Sequence, residues 1–314
     1  MKQAPAPIRD IAISAVLFAA TAILWGSSAI VTGHQAISGA PEVSVGYRMT
    51  LVFLTMLFWC RITGQRITIA RSNWPWILAQ GVLFFALAFV TFYYATTLIP
   101  SGIAALILST STLFAALVGW LGFDQQITLR MIIGALFGMA GLGIISAGQL
   151  LSLGMERDTL WGLTLALAAA ACTGAGTVVA MRNQKAGLPT AVLICWAAFV
   201  GAMLCFSLAI SRGLSFRVEL TPTYIVGLAY LAIAASCLTF FMYFRLVQRI
   251  GPTRAAYTLA LVPIVAILLS VLFEGLAFDL IIAAGTVAVL TGNVIVLGRS
   301  PERPRNRNPI KETA

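Results

Sequence analysis

The most expensive residue in this 314-residue chain is Arg48, which falls inside an apolar run at 43–60. A charge held within a bilayer costs several kcal/mol unless it is paired or hydrated. Two readings stay open. Arg48 contacts an anion or carboxylate, or it braces helices through its donors while snorkelling toward water. A second polar element is the run Ser109-Thr110-Ser111-Thr112, near the middle of another apolar run. Hydroxyls can bond the preceding helical turn, so they are cheap there and also serve as interhelical glue. Four in succession cannot all face one neighbour, which leaves Ser109 and Ser111 as candidates to wall a cavity. Trp25, Tyr93, Tyr94, Tyr243 and Tyr257 also lie within apolar runs. Aromatic bodies with polar tips suit an amphipathic organic solute, although each alone is more often ordinary packing. Ser27 and Ser28, beside Gly26, can contact a solute or let two backbones approach.

Other chemistry is not encoded. His34 is the one histidine, expected in the loop after the first run. The five cysteines, Cys60, Cys172, Cys195, Cys205 and Cys237, sit in or at the ends of apolar runs without CxxC spacing. They read as small hydrophobes, with no disulfide, metal site or cofactor expected. The acidic residues fall in tails, loops or run ends, Glu42 and Glu274 among them. Membrane enzymes need catalytic clusters at a membrane face, so no catalytic residue is assigned. Proton-driven carriers commonly hold a carboxylate within the membrane. The sequence therefore points to exchange down a gradient, or to coupling through Glu42, Glu274 or a group that is not a carboxylate.

These residues need elements to hold them, and composition dictates which. The chain is 60% hydrophobic and 10% charged, with a mean hydropathy of +0.96. Soluble domains carry roughly 25% charged residues. The solvent around this chain is lipid, where only helices or closed barrels satisfy the backbone. About 20 apolar residues make one helical span. Ten such runs are present: 11–32, 43–60, 74–98, 100–121, 129–147, 160–181, 188–210, 223–244, 252–273 and 278–297. The first is too long for the apolar core of a cleavable signal and is expected to remain as a helix. Pro100 suits a helix start and divides the third run from the fourth.

The net charge of +10 is not a nucleic-acid signature, because the basic residues are scattered over short loops and one tail. Sixteen Lys and Arg fall on one side of the ten-span arrangement, against Arg157, Arg212 and Arg217 on the other. The positive-inside rule then places both termini in the cytoplasm. The basic tail at 298–314 fits an anchor to anionic lipid or a simple topology signal.

The chain also repeats. Shifted by 151 residues, Ala104 falls on Ala255, Gly134 on Gly285, Gly141 on Gly292 and Ile144 on Ile295. At least ten identities occur over 99–144, where chance pairing gives about four. Each half, 11–147 and 160–297, holds five runs. An odd number makes the second half enter the membrane the other way round. Inverted repeats are a transporter architecture, with the substrate at the repeat interface near the midplane.

Particular residues resemble one family. Leu24-Trp25-Gly26-Ser27-Ser28, Tyr47-Arg48-Met49, Gly251-Pro252 and Phe273-Glu274-Gly275 occur in an order similar to that of the drug/metabolite transporter superfamily, in its ten-helix EamA-type branch. The likeness covers 11–297. Thr112 stands where the family often has proline, with Pro263 at the matching place of the second half. Gly122-Phe123-Asp124 replaces the commoner Gly-Glu. The glutamate of the small multidrug-resistance relatives is absent from the first run. The resemblance implies a bacterial inner-membrane exporter.

The sequence thus predicts an all-α integral membrane protein of ten transmembrane helices in two inverted five-helix repeats. Its expected function is alternating-access transport of a small organic solute, amino-acid-like or amphipathic. Membrane lipid is its other expected partner, and a monomer or homodimer its state. A channel or a non-transporting scaffold is the alternative; an enzyme fits least.

Overall fold

A computed structural model describes residues 8–123, 128–153, 157–218, 221–250 and 252–297. These residues form helices and the turns between them, without a strand among them. Helix α1 is Ile8–Ala36 and α2 is Pro41–Ile62. Helix α3 runs as Trp74–Gln80, a π-helical stretch Gly81–Leu87, and Ala88–Leu98. Helix α4 consists of Ser101–Leu108 and Ser111–Gly122. Then come α5 (Leu129–Leu153), α6 (Arg157–Lys185) and α7 (Thr190–Ser211). Helix α8 runs as Pro222–Ala229, a π-helical stretch Tyr230–Leu238, and Thr239–Ile250. Helices α9 (Pro252–Phe273) and α10 (Leu280–Leu297) complete the set. By length and composition, α1 to α8 each hold a stretch able to cross a membrane, and Thr258–Phe273 and Leu280–Val296 are shorter apolar helices.

Large side chains such as Leu136, Met139, Leu268 and Leu272 point outward, each more than half exposed to whatever surrounds the protein. A soluble monomer rarely tolerates such a continuous apolar exterior. Polar side chains turn inward instead, among them Gln35, Glu42, Arg48, Gln80 and Asn183. The chain is a multi-pass membrane protein.

Helix ends gather on two faces. One face carries 37–40, the Leu98–Ser101 junction, Arg212 and Glu274, joined by side-chain hydrogen bonds. The opposite face carries 63–70 and 186–189, beside the Arg182–Asn73, Asn183–Trp76 and Trp196–Ile67 contacts. The packing falls into two cores. Met49, Met56, Phe85, Tyr93 and Cys195 join α2, α3 and α7. Ile103, Ile107, Ala166 and Ile267 join α4, α6 and α9. The principal helix pairs are α5 with α10, α2 with α7, α4 with α9, α3 with α6, α1 with α8, α1 with α9, and α4 with α6. The π segment of α3 packs on α7, and that of α8 packs on α2.

Two sequence expectations are corrected here. The fourth run is not one helix: it breaks at Ser109–Thr110. Ser109 Oγ donates to Leu106 O at 2.7 Å and Thr110 Oγ1 to Ile107 O at 2.7 Å. The Thr110 N–H also turns back three residues, to Ile107 O at 3.0 Å. Hydroxyls competing for nearby carbonyls tighten this turn and interrupt the α-helical ladder. His34 is not in a loop but in the last turn of α1, where Nδ1 lies 2.9 Å from Ile30 O. Glu42 stands at a run end as expected, in the first turn of α2, and is 2% exposed.

Candidate functional site

Helix α8 is the backbone of the candidate site. Ser236, Phe240 and Tyr243 are spaced by four and three residues, so they share one helical face. Arg48 reaches Ser236 from α2, with Nη2 donating to Oγ at 3.2 Å. The Ser236 hydroxyl in turn donates to Leu231 O at 2.8 Å, five residues back, a spacing that only a π-helical turn provides. On its other side, Arg48 lays its guanidinium over the Phe89 ring of α3, 4.5 Å from the centroid. The arginine is 3% exposed and its Nε lacks a partner among the described residues. Among the described residues, ion pairs join Arg212 to Glu42 and Arg249 to Asp10; none includes Arg48.

Helix α1 faces the same strip of α8. Trp25 meets Phe240 edge-on, with centroids 5.6 Å apart, and Tyr243 at 5.4 Å. Ser27 Oγ donates to Ile23 O and lies 2.6 Å from the Tyr230 hydroxyl. The Tyr230 hydroxyl also reaches Leu24 O at 3.3 Å. Ser28 donates to Trp25 O at 2.6 Å, which holds it in its own helix. Gly26 makes this approach possible from behind: a Cβ there would stand 2.9 Å from Val262 O of α9.

Toward the face carrying 37–40, a polar network closes the interior. The Tyr94 hydroxyl lies 3.0 and 2.9 Å from the two Glu42 carboxylate oxygens. Arg212 Nη1 donates to Glu42 and, at 3.0 Å, to the Tyr94 hydroxyl. Arg212 is held at the end of α7 by a left-handed glycine: Gly213 has φ 63°, and its N–H bonds Ile210 O while that of Leu214 bonds Ala209 O. This is a Schellman closure. The hydrogen bond with Tyr94 and the charge of Glu42 raise the Arg212 pKa above its ordinary value. Beside this triad, Tyr93 donates to Gln35 Oε1 at 3.1 Å, Gln35 donates to Tyr224 O at 3.3 Å, and Tyr224 donates to Ser44 at 3.1 Å. Five helices, α1, α2, α3, α7 and α8, are thereby tied at one end.

The ten residues singled out from the sequence do not form one pocket. Trp25, Ser27 and Tyr243 share the α1–α8 seam, and Arg48 joins it through Ser236. Tyr93 and Tyr94 belong to the closure instead. Ser109 lies elsewhere, accepting from Asn293 Nδ2 of α10 at 3.1 Å, while Thr112 donates to Asn293 Oδ1 at 2.8 Å. Ser111 packs its carbonyl against Gly174 of α6. Tyr257 lies in α9, and its side chain is outside the described residues. Sequence reasoning missed Tyr230, Ser236, Phe89, Gln35, Arg212 and Asn293. Tyr230 and Ser236 carried one available signal, a polar side chain in a long apolar run. Phe89 carried none.

Comparison with known proteins places the chain in a family. Residues 12–147 and 160–298 each match the EamA-like transporter family. The protein PecM of Dickeya dadantii (strain 3937) is 28% identical over 229 residues, 71% of this chain and 74% of PecM. A probable amino-acid metabolite efflux pump of Escherichia coli (strain K12) is 25% identical over 267 residues, 80% of this chain and 84% of the pump. A solved crystal structure superposes with a TM-score of 0.62 at 19% identity, spanning 90% of this chain and 96% of that one. That last likeness is one of fold.

Proposed function

The chain belongs to the EamA-like transporter family, and on that premise we propose that it carries a small organic solute across a bacterial inner membrane by alternating access. In this reading all of α1 to α10 cross the bilayer. The halves 11–147 and 160–297 are inverted repeats, with cytoplasmic tails at 1–10 and 298–314. The helix pairs support it. Replacing each helix by the one five places on turns α3–α6 into α8–α1, and α1–α9 into α6–α4. It returns α2–α7, α4–α9 and α5–α10 to themselves, and every one of these pairs is in contact. The π segments occupy matching helices, α3 and α8. A two-fold axis in the membrane plane is the operation that does this.

The single observation that carries the transport reading is the polar closure that ties α1, α2, α3, α7 and α8 together at one face. The Glu42–Tyr94–Arg212 and Gln35–Tyr93–Tyr224 contacts seal the face that carries few basic loop residues, which the positive-inside rule puts outside. The strip formed by Trp25, Ser27, Arg48, Tyr230, Ser236 and Tyr243 lies beneath that seal. It supplies hydroxyls, aromatic faces and one cation, suited to an amino-acid-like or amphipathic solute. Export is the direction in this reading, in keeping with the name of the Escherichia coli relative.

The test is uptake of labelled amino acids and amphipathic ions into proteoliposomes, with and without solute loaded inside. Saturable uptake accelerated by internal solute is the expected result. Uptake that neither saturates nor responds to internal solute would mean a channel.

A further inference from the structure

We propose that Arg48 is the anion subsite of the transport pathway, and that the solute is an organic carboxylate with an apolar or aromatic body. The proposal rests on the carrier reading above and names its substrate class.

Arg48 is a charge with donors to spare. It is 3% exposed, so water does not solvate it. Among the described residues, its hydrogen bonding is one 3.2 Å contact to a neutral hydroxyl, Ser236, and its Nε has no partner. Phe89 stabilises the cation through its ring face, 4.5 Å from the centroid, and accepts no hydrogen bond that would use up the guanidinium's N–H donors. The acids of the described residues are engaged elsewhere or distant: Glu42 with Tyr94 and Arg212, and Glu274 with Ser101 and Ser270. A pure brace would be fully bonded, because an orphaned buried donor on a charged group is costly. Arginine presents a planar fork that fits a carboxylate in two parallel hydrogen bonds.

The surroundings favour a carboxylate attached to an apolar body over a small inorganic anion. Ser236, the residue that Arg48 touches, shares its helix face with Phe240 and Tyr243, and Trp25 of α1 packs on both rings. A solute held at Arg48 by its carboxylate extends along an aromatic wall. The helix that carries this wall is π-widened over Tyr230–Leu238, and the helix supplying Phe89 is π-widened over Gly81–Leu87. Such segments recur at functional sites, where they offer register shifts that regular helix does not.

The test uses phenylacetate, phenylacetamide and phenethylammonium, which share one ring and differ in charge. Binding to wild-type protein in nanodiscs is followed by tryptophan fluorescence, and transport by counterflow in proteoliposomes. Phenylacetate is expected to bind at least ten-fold tighter than the other two. Arg48→Gln removes that preference, Arg48→Lys keeps part of it, and Ser236→Ala weakens phenylacetate severalfold. Equal binding of all three probes, binding of none, or unchanged phenylacetate affinity in Arg48→Gln with a wild-type circular-dichroism spectrum, overturns the anion site. The wild-type comparison needs no variant to fold. Counterflow of phenethylammonium without anion preference removes the site and leaves the carrier. Arg48-dependent phenylacetate binding without counterflow of any probe keeps the site and removes the carrier.

Discussion

Gly134 of α5 and Gly292 of α10 meet backbone to backbone. A Cβ built on Gly134 would lie 2.7 Å from the Gly292 carbonyl oxygen, and one built on Gly292 would lie 2.6 Å from that of Gly134. One turn or two away, Gly141 and Gly285 repeat the relationship, at 2.7 and 3.0 Å. The shift of 151 residues takes Gly134 to Gly285 and Gly141 to Gly292. Exchanging the halves of the chain therefore maps one contact onto the other.

In lipid, helices gain little from hydrophobic exclusion, and close van der Waals contact between small residues takes its place. Gly141→Leu should push α5 and α10 apart at a cost of about 1–3 kcal/mol. Gly143, on the same helix, has open space where a Cβ would go. Gly143→Ala should leave stability within about 0.5 kcal/mol of wild type. Thermal melts in detergent, read by circular dichroism, compare the two. Equal midpoints for Gly141→Leu and wild type would remove the glycine contact as a structural requirement.

The seal at Glu42 makes a prediction about access. Cys205 of α7 is buried beside this carboxylate. In a background with Cys60, Cys172, Cys195 and Cys237 replaced by alanine, a polar methanethiosulfonate reagent added to intact cells should label Cys205 slowly. Arg212→Ala removes the donor that joins α7 to Glu42 and Tyr94, and labelling should quicken by severalfold. Glu42→Gln keeps an acceptor for Tyr94 and should fall between. Labelling that is insensitive to both substitutions argues against a gate there.

Much of the fold was legible from apolar runs, since each helix coincides with one of them to within a few residues. Lipid imposes that legibility, because backbone at membrane depth must satisfy its own hydrogen bonds. The burial of Glu42 was not legible, because it stands one residue before an apolar run, where a carboxylate commonly meets water. Only the tertiary packing of Tyr94 and Arg212 around it makes its burial tolerable. The site was harder still. Arg48 declared itself through its cost, whereas Ser236 offered only a small hydroxyl in an apolar run and Phe89 differs in no sequence feature from many packing residues. Side-chain direction around a helix depends on local winding, and the π segments of α3 and α8 shift that direction without leaving a pattern in the residue types.

The break in α4 bears on a proline. Thr112 is the second residue of the segment Ser111–Gly122, a position where helical N–H groups lack an acceptor in their own helix. Thr112→Pro should therefore fold, losing chiefly the 2.8 Å bond to Asn293, worth about 1 kcal/mol. Leu106→Pro, within the first segment, should cost about 3 kcal/mol or more. Yield of monodisperse protein and thermal midpoint measure both. If the two prolines are equally harmful, the break at Ser109–Thr110 does not relax the backbone as described.

The α1–α8 seam separates packing from recognition through Tyr230. Its hydroxyl lies 2.6 Å from Ser27 Oγ, yet Ser27 also donates to Ile23 O within its own helix. Tyr230→Phe thus removes the hydroxyl's contacts to Ser27 Oγ and Leu24 O and strands no donor on Ser27. The stability cost should be at most about 1 kcal/mol. A hydroxyl that faces the solute would have a second effect: loss of a bond made to the substrate raises KM. With counterflow of whichever solute the wild-type protein accepts, Tyr230→Phe should raise KM severalfold with little change in maximal rate. Trp25→Phe, which keeps an aromatic face but shortens it, should raise KM as well. An unchanged KM in both variants would assign this seam to helix packing alone. The solute path would then have to run along the Arg48–Ser236 side of α8 without reaching α1.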